Sequence, residues 1–120
     1  MLNNCVFIGR LVRDVELKYT NSGTAVANFC IAVDRNFKTK DGEKEADFVD
    51  VVVWQKLAEL CANFIGKGRL VAVTGRLQIR SYEDKEGIKR KVAEIVADEV
   101  RFLDRGDKET STQDDDTPPF

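Results

Sequence analysis

The chain has 120 residues, enough for one domain whose core needs neither disulfides nor metal. Its net charge of −2 hides a division: residues 1–103 carry +2 and residues 104–120 carry −4, so the acidic total is no argument against a nucleic-acid partner. Three cysteines (Cys5, Cys30 and Cys61) without ligand spacing, and no histidine, argue against a disulfide framework, structural zinc and the commonest general base. Each cysteine lies in an apolar stretch and reads as a small buried hydrophobe. No metal or other cofactor is implied. The start lacks a basic stretch followed by an apolar run, and no apolar run approaches the length of a membrane span, so the expected location is cytoplasmic.

Cys5 to Val12 is mostly apolar, broken only by Gly9 and Arg10, and reads as a strand. Val15 to Thr20 continues as a second extended piece. Thr20-Asn21-Ser22-Gly23 is a turn, because Asn and Gly tolerate positive φ. Ala25 to Arg35 is a longer strand, with Phe29, Ile31 and Val33 on one face. Lys38 to Asp47 is polar and holds Asp41-Gly42, a hairpin-tip signal. In the strand Phe48 to Trp54, Val49, Val51 and Val53 share the core side, which leaves Phe48 and Trp54 on a face that a plain barrel would keep polar. From Lys56 to Ile65 the period changes: Leu57, Leu60, Cys61 and Phe64 recur at helical spacing, and Gly66 and Gly68 stop the helix. Arg69 to Ser81 is a strand, Glu83 to Gly87 a charged turn, and Ile88 to Leu103 the last strand. Beyond it, the Ser, Thr, Gln and charged residues have no period and read as disordered. The order is three strands, one helix and two strands. This predicts an all-β, five-stranded OB-fold barrel with the helix between the third and fourth strands.

Catalysis finds no foothold. There is no nucleophile elbow and no carboxylate pair at a spacing that implies a shared site. Gly66-Lys67 lacks the rest of a phosphate loop, since Cys61 and Gly68 stand where that motif needs Gly and Ser/Thr. The expectation is a binding protein, not an enzyme. Of ten aromatics, Phe7, Phe29, Phe64 and Phe102 fit apolar patterns and are expected in the core. Phe37, Phe48, Trp54 and Tyr82 do not fit. Phe37 is flanked by Arg35, Asn36 and Lys38. Tyr82 shares parity with Arg76, Gln78 and Arg80, against Leu77 and Ile79 on the expected inner face. Rings interleaved with cations suit single-stranded nucleic acid, because bases stack on rings and cations follow phosphates. The candidate phosphate contacts are Arg10, Arg35, Arg76, Arg80 and Lys85. Pattern alone serves equally well for rings that pad a subunit interface or a second small core.

The segments Phe7-Ile8-Gly9-Arg10-Leu11, Glu16-Leu17-Lys18-Tyr19, Val26-Ala27-Asn28-Phe29, Val52-Val53-Trp54 with Gln55-Lys56-Leu57-Ala58-Glu59, Gly66-Lys67-Gly68, Thr74-Gly75-Arg76-Leu77 and Val96-Ala97-Asp98-Glu99-Val100 follow one another in the chain. Taken together they make the sequence resemble the bacterial single-stranded-DNA-binding proteins. The resemblance covers nearly all of residues 1–103. It implies an OB domain over 1–103, usually assembled as a homotetramer, with base stacking on Phe37, Phe48, Trp54 and Tyr82. Some members carry tryptophan where this chain has Phe37, Phe48 and Tyr82. Family members also end in an acidic tip closing on Pro-Phe. Here 104–113 is a short flexible linker and 114–120 the tip, with Asp114, Asp115, Asp116, Pro118, Pro119 and Phe120 for recruiting replication and repair proteins. Pro118 replaces the usual aliphatic residue, and Val15 stands where many members have proline. The implied function is sequence-tolerant binding and protection of single-stranded DNA in replication, recombination and repair, at the nucleoid. A primosomal accessory protein of the same fold, working mainly by protein contacts, is disfavoured by the acidic tip with its terminal Phe.

Overall fold

The computed structural model describes residues 1–38, 40, 42 and 44–104; the side chains of residues 37, 38 and 44 lie outside that description. The elements are β1 (Cys5–Leu11), β2 (Glu16–Tyr19), β3 (Ala25–Lys38), β4 (Lys44–Trp54), α1 (Gln55–Phe64), β5 (Leu70–Glu83) and β6 (Lys89–Phe102). The strands run in the order β1-β5-β6-β4-β3-β2, and β1 pairs with β3 as well as with β5. That extra pairing, Arg10 opposite Ala32 and Leu11 opposite Ile31, closes the barrel. β1 and β2 are the two halves of the first strand of a five-stranded OB barrel. α1 lies between β4 and β5, the third-to-fourth-strand position expected from the sequence. Only the β4–β6 contact is parallel, joining Val51 to Ile95 and Val52 to Val96.

Period-2 alternation decides what the barrel buries. Phe29 and Ile31 from β3, Val51 and Val53 from β4, and Val71 and Val73 from β5 point inward and are fully buried. Phe7 and Phe102 pack against this core, as expected. β6 changes parity partway: Ile95 and Ala97 face the core, then Val100 and Phe102 do, because the register with β5 slips between Thr74 and Gly75. A bulge of this kind bends a strand around a barrel corner. Gly75 stands at the slip, where a Cβ would run into the backbone of Val96 and Ala97.

The helix keeps Leu57 and Cys61 of the expected stripe inward but turns Leu60 and Phe64 out. Ala58, Cys61 and Ile65 are buried, with Leu57 packed beside them. Phe64, expected in the core, is 57% exposed, and Leu60 is exposed too. One α1 face fills the end of the barrel, and no described element covers the next. Ile65, already extended, accepts the helix end by donating its N–H to the Cys61 carbonyl at 3.0 Å, before Gly66 and Gly68 are reached. Leu77 and Ile79, expected on an inner face, are exposed as well. They keep the parity of Val71 and Val73, but the β5–β6 ribbon continues past the barrel, and there parity no longer means burial. No described helix is long and apolar enough to cross a membrane.

Candidate nucleic-acid interface

Strand register assembles the site. On β3–β4, Val26 lies opposite Trp54, Asn28 opposite Val52, and Ala32 opposite Phe48. Cross-strand partners share a face, so Phe48 and Trp54 lie on the side opposite the valine core. Val52 pairs with Val96, and Val96 with Arg76; one strand pair on, Arg80 faces Val92 and Tyr82 faces Arg90. Arg10 joins the same surface, in a row with Ala32 and Phe48. The sheet thus presents Arg10, Phe48, Trp54, Arg76, Arg80 and Tyr82 on one continuous outer face. Phe48 is 68% exposed, and Trp54 and Tyr82 are each 44% exposed. Six residues of strand separate Phe48 from Trp54, roughly 20 Å. Beside the Arg10 row opens a cavity of about 300 Å³ lined by Ile8, Gly9, Arg10, Ala32, Asp34 and Leu70.

Local structure holds these side chains in place. Trp54 is the last residue of β4, and Gln55, the next, has φ 61°. A left-handed residue without glycine is strained, by roughly 1–2 kcal/mol. Here it turns the strand directly into α1 and leaves Trp54 at the edge of the outer face. The β5–β6 turn is built on Asp84. Its Oδ1 accepts the N–H groups of Glu86 and Ile88, each at 2.9 Å, and its Oδ2 accepts Arg90 Nε at 2.9 Å. The Arg90 guanidinium, aided by the Ile88 N–H, lowers the Asp84 pKa below its ordinary 3.8. Gly87, with φ 82°, completes the turn. Lys85 stands exposed on this tip.

The cations differ in how far they are committed. Arg10 NH1 donates to the Gly68 carbonyl at 3.0 Å and reaches Asp104 Oδ2 at 3.4 Å. Arg76 donates to Gln78 Oε1 at 3.3 Å, and Arg80 Nε pairs with Glu94 at 3.2 Å. Arg35 has the parity of Val33 and so faces away from Phe48. It pairs with Asp47 and with Glu45, each at 2.9 Å, and the Arg35 hydrogen bond lowers the Asp47 pKa. The Phe37 side chain and the residues 105–113 and 114–120, with Asp114, Asp115, Asp116, Pro118, Pro119 and Phe120, lie outside the described residues.

The three cysteines are free, and Cys30 and Cys61 are buried. Burial, and next the Asp50 carboxylate, raise the Cys30 thiol, and burial pushes Cys61 up to about 11. Sequence reasoning passed over Lys18 and Arg90, which the register puts opposite Val26 and Tyr82 on the outer face. Their signal lies in cross-strand pairing, which one strand's parity cannot reveal.

Residues 2–103 match the single-strand binding protein family. The chain belongs to that family. It is 56% identical to a single-stranded DNA-binding protein of Clostridium tetani over 92% of this chain and 76% of the relative. It is 50% identical to single-stranded DNA-binding protein 1 of Streptococcus pyogenes serotype M18, over 93% of this chain and 86% of that one. Similarity to single-stranded DNA-binding protein 4 of Streptococcus agalactiae, again 50% identical, spans 99% of this chain and 88% of the relative, so it extends into residues 105–120. The family is one of binding proteins rather than catalysts.

Proposed function

We propose that the outer face of the barrel binds single-stranded DNA with little sequence preference. Bases stack on Phe48, Trp54 and Tyr82, with Phe37 as a fourth platform. Arg10, Arg76, Arg80 and Lys85 follow the phosphates. Arg35 contributes least, because its guanidinium is engaged by Asp47 and Glu45 on the other side of the hairpin. The observation that carries this reading is the register that gathers exposed rings and arginines onto one face. A ring accepts any base, so the surface is sequence-tolerant, and a duplex, which hides its base faces, is disfavoured.

The biological reading is protection of single-stranded DNA in replication, recombination and repair, in the cytoplasm at the nucleoid. The OB domain spans 1–103, a linker 104–113 and a partner-recruiting tip 114–120; the family match, which ends at residue 103, supports the first of these boundaries. A homotetramer is supported by Val6 and Ile8, apolar and exposed on the outside of β1.

Titration with oligo-dT at several salt concentrations tests the reading, using the emission of Trp54, the single tryptophan. Emission should be quenched on binding. The logarithm of affinity should fall with the logarithm of salt by about 0.7 per phosphate neutralised. Binding without any change at Trp54 would place the DNA elsewhere.

A further inference from the structure

We propose that Glu94 is a positioning residue for DNA binding, holding Arg80 directly and Arg76 through Gln78 so that both guanidinium groups are presented to phosphate. The proposal rests on the reading that this face binds single-stranded DNA. Glu94 is the one charged residue buried among the described residues: its side chain is 8% exposed, against 55% for Arg80. A carboxylate removed from water is unfavourable unless charge and hydrogen bonds compensate it. Here Glu94 Oε2 accepts Arg80 Nε at 3.2 Å and Gln78 Nε2 at 3.4 Å. Gln78 in turn accepts Arg76 NH1 on its Oε1 at 3.3 Å. Four side chains from β5 and β6 therefore form one chain of donors and acceptors, with Glu94 at its root.

The register explains why these four meet. Gln78 lies directly opposite Glu94, while Arg76 and Arg80 face Val96 and Val92, its neighbours on the same side of β6. Arg80 meets Glu94 through Nε alone, which leaves its terminal nitrogens for a paired contact with a phosphate. Arginine side chains lose rotamer freedom when they bind, and a partner that holds them beforehand lowers that cost. Simple charge makes the opposite prediction, because a carboxylate on a DNA-binding face repels phosphate. The sign of the Glu94→Gln effect therefore separates positioning from repulsion.

The experiment measures oligo-dT affinity across a salt series for the wild type, Glu94→Gln, Gln78→Leu and Arg80→Ala, with Trp54→Ala alongside and melting temperatures for all. Glu94→Gln should weaken binding roughly tenfold, the scale of a hydrogen bond to a charged group. The salt slope should flatten by about 0.7 to 1.4, for one or two phosphates no longer held. In the Arg80→Ala background the same change should have a smaller effect. Gln78→Leu, which leaves Glu94 untouched, should flatten the slope by about 0.7. A merely structural glutamate would alter melting and leave the slope alone. Unchanged or tighter binding by Glu94→Gln overturns the proposal. If that variant does not fold, an unchanged slope in Gln78→Leu overturns it. If wild-type binding is weakened by Trp54→Ala while both variants behave as wild type, the DNA face stands and the role of Glu94 falls. If wild type does not bind oligo-dT, both fall.

Discussion

Trp54 and Phe48 are the residues on which the proposed base stacking rests most directly. Both alternate with Val49, Val51 and Val53, so their rings contribute little to the core. Trp54→Ala should therefore leave melting nearly unchanged and weaken DNA binding by roughly 1–3 kcal/mol. Phe48→Ala should behave alike. Polarisation of a labelled oligonucleotide is the suitable readout, since the first variant removes the only tryptophan. A folded Trp54→Ala protein with wild-type affinity would move the stacking elsewhere. Their place on the outer face was legible from parity alone, because the neighbouring valines leave no doubt about which side is inside. Arg35 shows the limit of such reading. It lies in a stretch rich in cations, yet its parity with Val33 puts it on the face away from Phe48, where Asp47 and Glu45 pair with it.

At the scale of elements, the β5–β6 ribbon carries Tyr82, Arg76, Arg80 and Lys85, and two of its features are testable. Gly75 lies where β6 bulges, and a Cβ there would come within 2.8 Å of Ala97 Cα. Gly75→Ala should destabilise the barrel by about 1–3 kcal/mol, read as a lower urea midpoint, because both strands must shift. At the far end, Asp84 has its folded pKa below 3.8, chiefly through Arg90. A depressed carboxyl stabilises the turn at any pH above its unfolded value and loses that contribution as pH falls through the folded one. The amide signals of Glu86 and Ile88 should therefore titrate together with a midpoint below 3.8, and Asp84→Asn should remove that step. A midpoint above 3.8 would contradict the assignment. The strands themselves were readable because alternation of Val, Ile and Phe with polar residues survives folding. The exposure of Phe64, Leu60, Leu77 and Ile79 was not readable. Periodicity reports which side chains share a face, whereas burial depends on whether another element covers that face, and none of those described covers these.

For the whole molecule, the decisive property is the separation of charge between residues 1–103, at +2, and residues 104–120, at −4. Asp104 marks the boundary. Its carboxylate pairs with Arg69 at 2.9 Å, accepts the Leu70 N–H at 3.2 Å and reaches Arg10 at 3.4 Å. The first residue of the acidic segment thus sits beside an arginine in the Phe48 row. Sixteen further residues span at most about 50–60 Å when extended, so the tip has the outer face within reach. Tethering by a short linker gives a local concentration on the order of millimolar. A tip bearing Asp114, Asp115 and Asp116 should then compete weakly with DNA for the arginines, and bound DNA should release it to partners. Deleting residues 114–120 should leave oligo-dT binding intact at moderate salt and slightly tighter at low salt, where screening is least. The same deletion should abolish capture of replication and repair proteins. Phe120→Ala should also lose those partners while keeping every aspartate, because on the proposed reading the ring and not the charge would fill a partner's pocket. Its DNA affinity should match that of the full chain at every salt concentration. Markedly weaker DNA binding by the truncated protein would assign the tip to the DNA site and end the division of labour between barrel and tail.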